Sequence, residues 1–186
     1  EINGFENIPT NNTFIIASNH TSFLDPLIVG SIIEVRLNKR IHYIGKKVLF
    51  RTLLSRIFHE TFGTIPLDST DKGKSALKIA EVCLKEGKII GIFPEGMRSK
   101  NGNLIEGRTG VARLSLAAKY PVVPIAIKGA FDLMPVGRII PKFKKEVVVN
   151  VGKPMYFDKY YDKKINKKIL KTITENIMTN IQGLTN

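Results

Sequence analysis

Five short apolar runs punctuate the chain: Phe14-Ile15-Ile16, Tyr43-Ile44, Ile89-Ile90-Gly91-Ile92-Phe93, Val122 to Ile127, and Val147-Val148-Val149. Each is short and rich in β-branched or aromatic residues, so each reads as a strand. Between them lie stretches with apolar residues at helical spacing, over 26–37, 48–59, 72–86 and 108–118. Strands that alternate with helices of that length form parallel pairs, because each helix carries the chain back across a face of the sheet. The fold expected is α/β, with a mixed, largely parallel central sheet flanked by helices. At 186 residues the chain can bury roughly 70% of its unfolded surface. No linker, repeat or low-complexity tract divides it, so residues 1–186 read as a single domain.

The densest chemistry lies just after the first of these strands, in Asn19-His20-Thr21-Ser22-Phe23-Leu24-Asp25. Histidine is the side chain best placed to take a proton near neutral pH. A carboxylate can hold its ring, fix the tautomer and stabilise the imidazolium. Five residues apart on one helix, the two side chains would point about 140° apart. A catalytic pair therefore needs a turn between them. Asp25-Pro26 reads as a helix start, with Asp25 at the N-cap and Pro26 at the first helical position. On this heptad alone, a catalytic pair and a plain capping aspartate are both open.

A second motif, Ile92-Phe93-Pro94-Glu95-Gly96-Met97-Arg98-Ser99, follows another strand, which stops at Pro94. It offers a carboxylate, a flexible glycine and a guanidinium whose fork suits phosphate oxygens. Alone it is equally an ordinary strand-to-turn with solvated charges.

Together the two motifs resemble the hallmark blocks of the glycerolipid acyltransferases, the 1-acylglycerol-3-phosphate acyltransferase family. Those blocks are N-H-x-S-x-x-D and F-P-E-G-T-R-S, and here they stand in the right order about 75 residues apart. Ile44 to Phe50 is similar to the family's A-K-x-E-L-F segment, Gly63 to Asp68 to its second block, and Val122 to Ile127, around Pro124, to its fourth. The resemblance covers roughly residues 2 to 157 and implies the glycerolipid acyltransferase fold. Three positions depart from the pattern. Ser69 stands where an arginine usually helps bind the acceptor's phosphate, leaving Lys72, Lys74 or another cation to substitute. Met97 replaces a threonine, and Arg108 stands where lysine is common.

The resemblance implies direct acyl transfer in a ternary complex, from acyl-CoA or an acyl carrier protein thioester to the hydroxyl of 1-acylglycerol-3-phosphate. His20 is expected to remove the proton and Asp25 to orient it. Glu95, Gly96 and Arg98 are expected to shape the acceptor site, with Arg98 on the phosphate. Lys46 and Arg108 are further phosphate candidates, and Pro124 is counted among the substrate-binding positions. No metal or prosthetic cofactor is expected. Three rivals stay open: a different lysophospholipid acceptor, a non-catalytic membrane-binding module, and a hydrolase in which His20 activates water.

The remaining residues narrow the partners. One cysteine, Cys83, excludes an internal disulfide and suits a reducing compartment. It reads as core, on an apolar helix face with Leu77, Ile79, Ala80 and Leu84. The Cys and His spacings fit no metal site, and His42 and His59 read as structural. Asn19-His20-Thr21 also matches a glycosylation sequon, read here as chance. The net charge of +13 is concentrated: residues 36–56 hold seven Lys/Arg and no acid, and 138–171 hold eleven against three. Such charge attracts anionic lipid, acidic carrier proteins or nucleic acid. No zinc knuckle, aromatic RNA-binding block or helix-turn-helix accompanies it, so nucleic acid is not an expected partner.

The first basic stretch is amphipathic, with Leu49, Leu53, Ile57 and Phe50, Leu54, Phe58 beside Lys46, Lys47, Arg51 and Arg56. It is expected to divide between the core and an anionic membrane surface. Isoleucines at 165, 169, 173, 177 and 181 predict a terminal helix docked on the core, with a second membrane contact as the alternative. No run of 18 apolar residues exists, and no signal peptide is apparent. In the family, a segment like Ile2 to Pro9 follows an N-terminal helical anchor. The expected location is therefore the cytoplasmic face of the cell membrane, peripheral or anchored through such a segment.

Overall fold

The computed structural model describes residues 1–186 apart from Ser69, Lys72, Ile139, residues 143–145, Asn186, and the side chains of Leu54, Phe58 and Thr61. Among the described residues the strands are β1 (Ile2–Asn3), β2 (Ile15–Ser18), β3 (Ile41–Lys46), β4 (Ile65–Leu67), β5 (Ile89–Ile92), β6 (Val122–Lys128) and β7 (Val148–Val151). The helices are α1 (Asp25–Leu37), α2 (Leu53–Thr61), α3 (Lys74–Lys85), α4 (Gly110–Ala118), α5 (Ala130–Leu133) and α6 (Lys167–Gly183). The strands form one sheet in the order β1-β7-β6-β2-β5-β3-β4. Every pair is parallel except β6–β7. The expected mixed, largely parallel α/β sheet is thus the one observed.

Alternation along β2 builds two cores. Ile15 and Ala17 face the layer of α3, α4 and α6, while Phe14 and Ile16 face α1, and all four are fully buried. Burial on both faces is why this strand reads as an unbroken apolar run. The C-terminal helix docks as expected, through Leu170, Ile173, Ile177 and Ile181, while Lys167, Lys168 and Lys171 stay exposed. Ile165 precedes the helix and is exposed.

Several expectations need correction. Residues 48–59 are not one helix: a 3-10 turn at Lys47–Phe50 precedes α2, so Leu49 and Leu53 do not share a helical row. On α3 the inner face is Ala76, Ala80 and Leu84, small enough for close approach. Ile79 and Val82 point outward and Cys83 is only half-buried. The helix after the first motif starts at Asp25, with Leu24 rather than Asp25 as its N-cap. Strands β1 and β4 and helix α5 were not anticipated. No helix among the described residues is long and apolar enough to cross a membrane.

Candidate active site

In parallel sheets, sites form beyond the C-terminal ends of neighbouring strands. Here β2 lies between β6 and β5, and β5 lies between β2 and β3. The residues after β2 and after β5 therefore meet, although they are far apart in sequence.

The turn after β2 supplies the bend that the histidine–aspartate pair requires. Nδ1 of His20 lies 2.8 Å from Oδ2 of Asp25. The same oxygen accepts the backbone N–H groups of Thr21 and Ser22, each at 2.7 Å. Asp25 is completely buried and its Oδ1 has no hydrogen-bond partner among the described residues. An ionised carboxylate only accepts, so Nδ1 donates and Nε2 is left as the ring's basic nitrogen. This accounts for the corrected helix start: the carboxylate turns back onto the 20–22 turn instead of capping the helix.

The two motifs hold each other. The N–H of His20 donates to Oε1 of Glu95 at 2.7 Å, and the N–H of Ser99 donates to the carbonyl of His20 at 2.7 Å. Oε2 of Glu95 accepts from the N–H of Ile105 at 2.8 Å. Both oxygens of Glu95 are therefore taken by main chain, and the residue is buried. Burial pushes its carboxyl above the usual range, against the opposing pull of the two N–H donors. Glu95 is placed as a clamp on the loop that carries His20 rather than as a group facing an acceptor.

Beside His20 lies a cavity of about 180 Å³, lined by His20, Phe23, Leu27, Tyr43, Gly45, Leu49, His59, Phe62, Phe93 and Arg98 among others. Its walls are mainly apolar, and Arg98 makes no ion pair among the described residues, so its fork is available to a ligand. The Tyr43 hydroxyl donates to the carbonyl of Pro26 at 3.0 Å. Burial and the nearby Asp25 carboxylate push that phenol well above its ordinary range.

The other expected residues fall as follows. Gly96 takes the left-handed conformation, φ +69, and packs against the side chain of Arg108. Arg108 is exposed, and its backbone N–H donates to Pro94 at 2.8 Å. Lys46 ends β3, exposed and outside the cavity lining. Pro124 is a correction: it pairs with Ala17 inside the sheet, lies on the α4/α6 face, and accepts from Gly152 N–H at 2.8 Å. It does not line the cavity. Ser69 and Lys72 lie outside the described residues.

Three contributors were missed or set aside in the sequence. Asn19 extends β2 by its side chain, donating to the carbonyl of Ile127 at 2.9 Å and accepting its N–H at 2.8 Å. Ser22 ties the turn to the carbonyl of Met134 at 2.9 Å. His59, read as structural, lines the cavity, with Nδ1 3.2 Å from Thr64 Oγ1. Asn19 and Ser22 sit inside the first motif, and that position was the available signal. Among the described residues no cluster of three His, Cys, Asp or Glu side chains could hold a metal ion.

Comparison with known proteins gives the family. The model of the Acyltransferase family matches residues 1–128. A 1-acyl-sn-glycerol-3-phosphate acyltransferase of Bacillus subtilis is 34% identical over 67% of this chain and 60% of its own length. The chloroplastic enzyme of that name from Brassica napus is 32% identical over 86% of this chain and 46% of its own. The chain thus spans only about half the length of these relatives. The crystal structure of the 1-acyl-sn-glycerophosphate acyltransferase of Thermotoga maritima shares the fold, with a TM-score of 0.72 over 98% of this chain and 69% of that one, at 24% identity. The matched region contains both motifs and the strands that join them, and the chain belongs to the acyltransferase family.

Proposed function

We propose that this chain is the catalytic domain of a 1-acylglycerol-3-phosphate acyltransferase acting at a membrane surface. The observation that carries this reading is the His20–Asp25 pair, 2.8 Å apart, at the wall of an apolar cavity that Arg98 also lines. The relatives' names support the substrate class, and the geometry supports the residue roles that follow.

His20 Nε2 takes the proton of the acceptor hydroxyl as that oxygen attacks the thioester carbonyl. The new C–O ester bond forms, the C–S bond breaks, and the departing thiolate takes the proton back from His20. Asp25, buried against Nδ1, stabilises the imidazolium between these two transfers. Arg98 holds the acceptor's phosphate by two parallel hydrogen bonds. The apolar walls around Phe23, Leu27, Leu49 and Phe62 receive an alkyl chain. The thioester is carried by coenzyme A or an acyl carrier protein.

The membrane assignment rests on a patch of exposed apolar side chains beside the cavity. Val48, Leu53 and Ile57 are 58%, 76% and 53% exposed, and Leu49, Phe62 and Phe23 adjoin the cavity. Arg51 and Arg56 stand exposed among them. An apolar surface fringed by arginine is suited to the interface of an anionic bilayer. We place that bilayer at the cytoplasmic face of the cell membrane.

The test is mass spectrometry of products from a panel of lysolipids offered with acyl-CoA and acyl carrier protein donors, with the His20→Ala variant as control. Phosphatidate from lysophosphatidate in the native protein alone supports the reading. A different esterified lysolipid redirects the acceptor, and free fatty acid without ester overturns transfer in favour of hydrolysis.

A further inference from the structure

We propose that Phe93 is a positioning residue that stabilises the protonated form of His20 through its ring face, and that Tyr43 fixes that ring in place. The imidazole of His20 lies nearly flat over Phe93, with centroids 4.0 Å apart and planes at 17°. On the far side Tyr43 lies parallel to Phe93, 5.5 Å away at 6°. Rings carried by β3 and by the segments after β2 and β5 thus stack on one another.

The geometry favours one protonation state. A neutral imidazole in this place gains only the modest attraction of a stacked ring pair. A cationic ring in the same place puts its charge over the negative face of Phe93, well inside the ~6 Å reach of a cation–π contact. The contact therefore strengthens as His20 takes a proton. An interaction that is stronger at that moment than before it accelerates the step. Asp25 acts in the plane of the imidazole, through Nδ1. Phe93 acts from above the plane, so neither obstructs Nε2.

The rest of the stack supports this use. The Tyr43 hydroxyl donates to the carbonyl of Pro26, next to Asp25, so the outermost ring is anchored to the helix that carries the carboxylate. Gly91 lies directly across from Tyr43 in the register of β3 and β5. A Cβ there would run into the Tyr43 ring, so a flat stack needs glycine at that position. The charged and titratable groups facing His20 from its other neighbours are Asp25 on α1, Arg98 and Glu95 after β5, Tyr43 on β3 and His59 on α2. Substituting Phe93 removes none of these groups, and Tyr43 among them stacks on Phe93.

The kinetic part of this inference rests on the acyltransferase reading; the titration part does not. The experiment is an NMR titration of the His20 ring in isotope-labelled native protein, Phe93→Leu and Phe93→Tyr, with kcat and KM measured alongside. Phe93→Leu is expected to move the His20 midpoint down by roughly 0.4–1 pH unit, the equivalent of a cation–π contact. It should lower kcat roughly 2–5-fold with smaller changes in either KM. Phe93→Tyr keeps a ring and should retain both. A folded Phe93→Leu protein with the native midpoint overturns the proposal, as does a Phe93→Tyr protein that loses as much as Phe93→Leu. Phe93→Met, closer in volume, replaces Phe93→Leu if the latter fails to fold. A native protein that transfers no acyl group, but whose His20 midpoint still follows the ring, removes the acyltransferase reading and leaves this one standing.

Discussion

Asp25 has two duties that substitution can separate. One oxygen, Oδ2, accepts three hydrogen bonds, from His20 Nδ1 and from the N–H groups of Thr21 and Ser22. The other, Oδ1, has no partner among the described residues. In Asp25→Asn the carbonyl oxygen can sit at the Oδ2 position and the amide at Oδ1. The three existing donors stay satisfied and the cost of burying a charge is removed, while the new amide N–H groups are buried without a partner among the described residues. The two effects oppose each other, so stability should fall by no more than about 1–3 kcal/mol. The negative charge that stabilises the imidazolium is lost, so kcat should fall roughly 10²–10⁴-fold. Asp25→Ala removes the acceptor and strands three donors, two of them backbone groups. At about 1–3 kcal/mol for each unsatisfied group, the loss is at least about 3 kcal/mol. For a domain of this size that lowers Tm by roughly 6–12 °C. Thiol release with acyl-CoA and lysophosphatidate measures the first effect, and scanning calorimetry the second. If Asp25→Asn keeps kcat within about threefold of the native protein, Asp25 is no partner in proton transfer. If Asp25→Ala is as stable as Asp25→Asn, the three hydrogen bonds do not hold the turn.

Three further outcomes follow. Burial raises the Glu95 carboxyl, so the folded state holds its proton more tightly than the unfolded chain, and the stability from that residue is lost as pH rises past its ordinary value. Glu95→Gln forfeits the bond from Ile105 N–H, at about 1–3 kcal/mol, but removes this pH-dependent loss; the Tm gap to the native protein should therefore narrow with rising pH, and a widening gap contradicts the assignment. Arg98→Lys keeps a charge but loses the fork, so steady-state kinetics should show KM for lysophosphatidate rising about tenfold or more while KM for the donor moves little; a change confined to the donor puts the phosphate elsewhere. Leu53→Ser combined with Arg51→Glu should weaken co-sedimentation with anionic vesicles and leave Tm within a few degrees, since both side chains are exposed; unchanged co-sedimentation removes the membrane face from α2.

The sheet was legible where strands were buried on both faces. Ile15, Ile90 and Val123 sit in unbroken apolar runs that nothing but a covered parallel strand explains. β4 escaped because it is three residues with a central Pro66, and β1 because it is two. The break between Leu49 and Leu53 carries no Pro or Gly to announce it; the Lys47–Phe50 turn is closed by Arg51 N–H on the Val48 carbonyl. On α3 the apolar pattern favoured Ile79, but the packed face holds alanines, because approach to the neighbouring layer selects volume over hydropathy. At the site, the His20–Asp25 pair was readable because both members lie in one turn. The inward course of Glu95 was not, since its partners are backbone groups 75 and 10 residues away. Pro124, prominent in a resembling block, lies within the sheet, paired with Ala17.

The reciprocal tie between the two motifs bears on when the site first exists during synthesis. A nascent chain that has emerged only through β3 already contains His20 and Asp25, but neither β5 nor the carboxylate that grips the histidine's backbone. That grip itself depends on Ile105, whose N–H closes the far side of Glu95. High sequence separation makes such pairings late events in folding. The histidine–aspartate turn is therefore gripped from both sides only after Ile105 has been made. Until then a growing polypeptide carries His20 and Asp25 without the backbone grip that joins the two motifs.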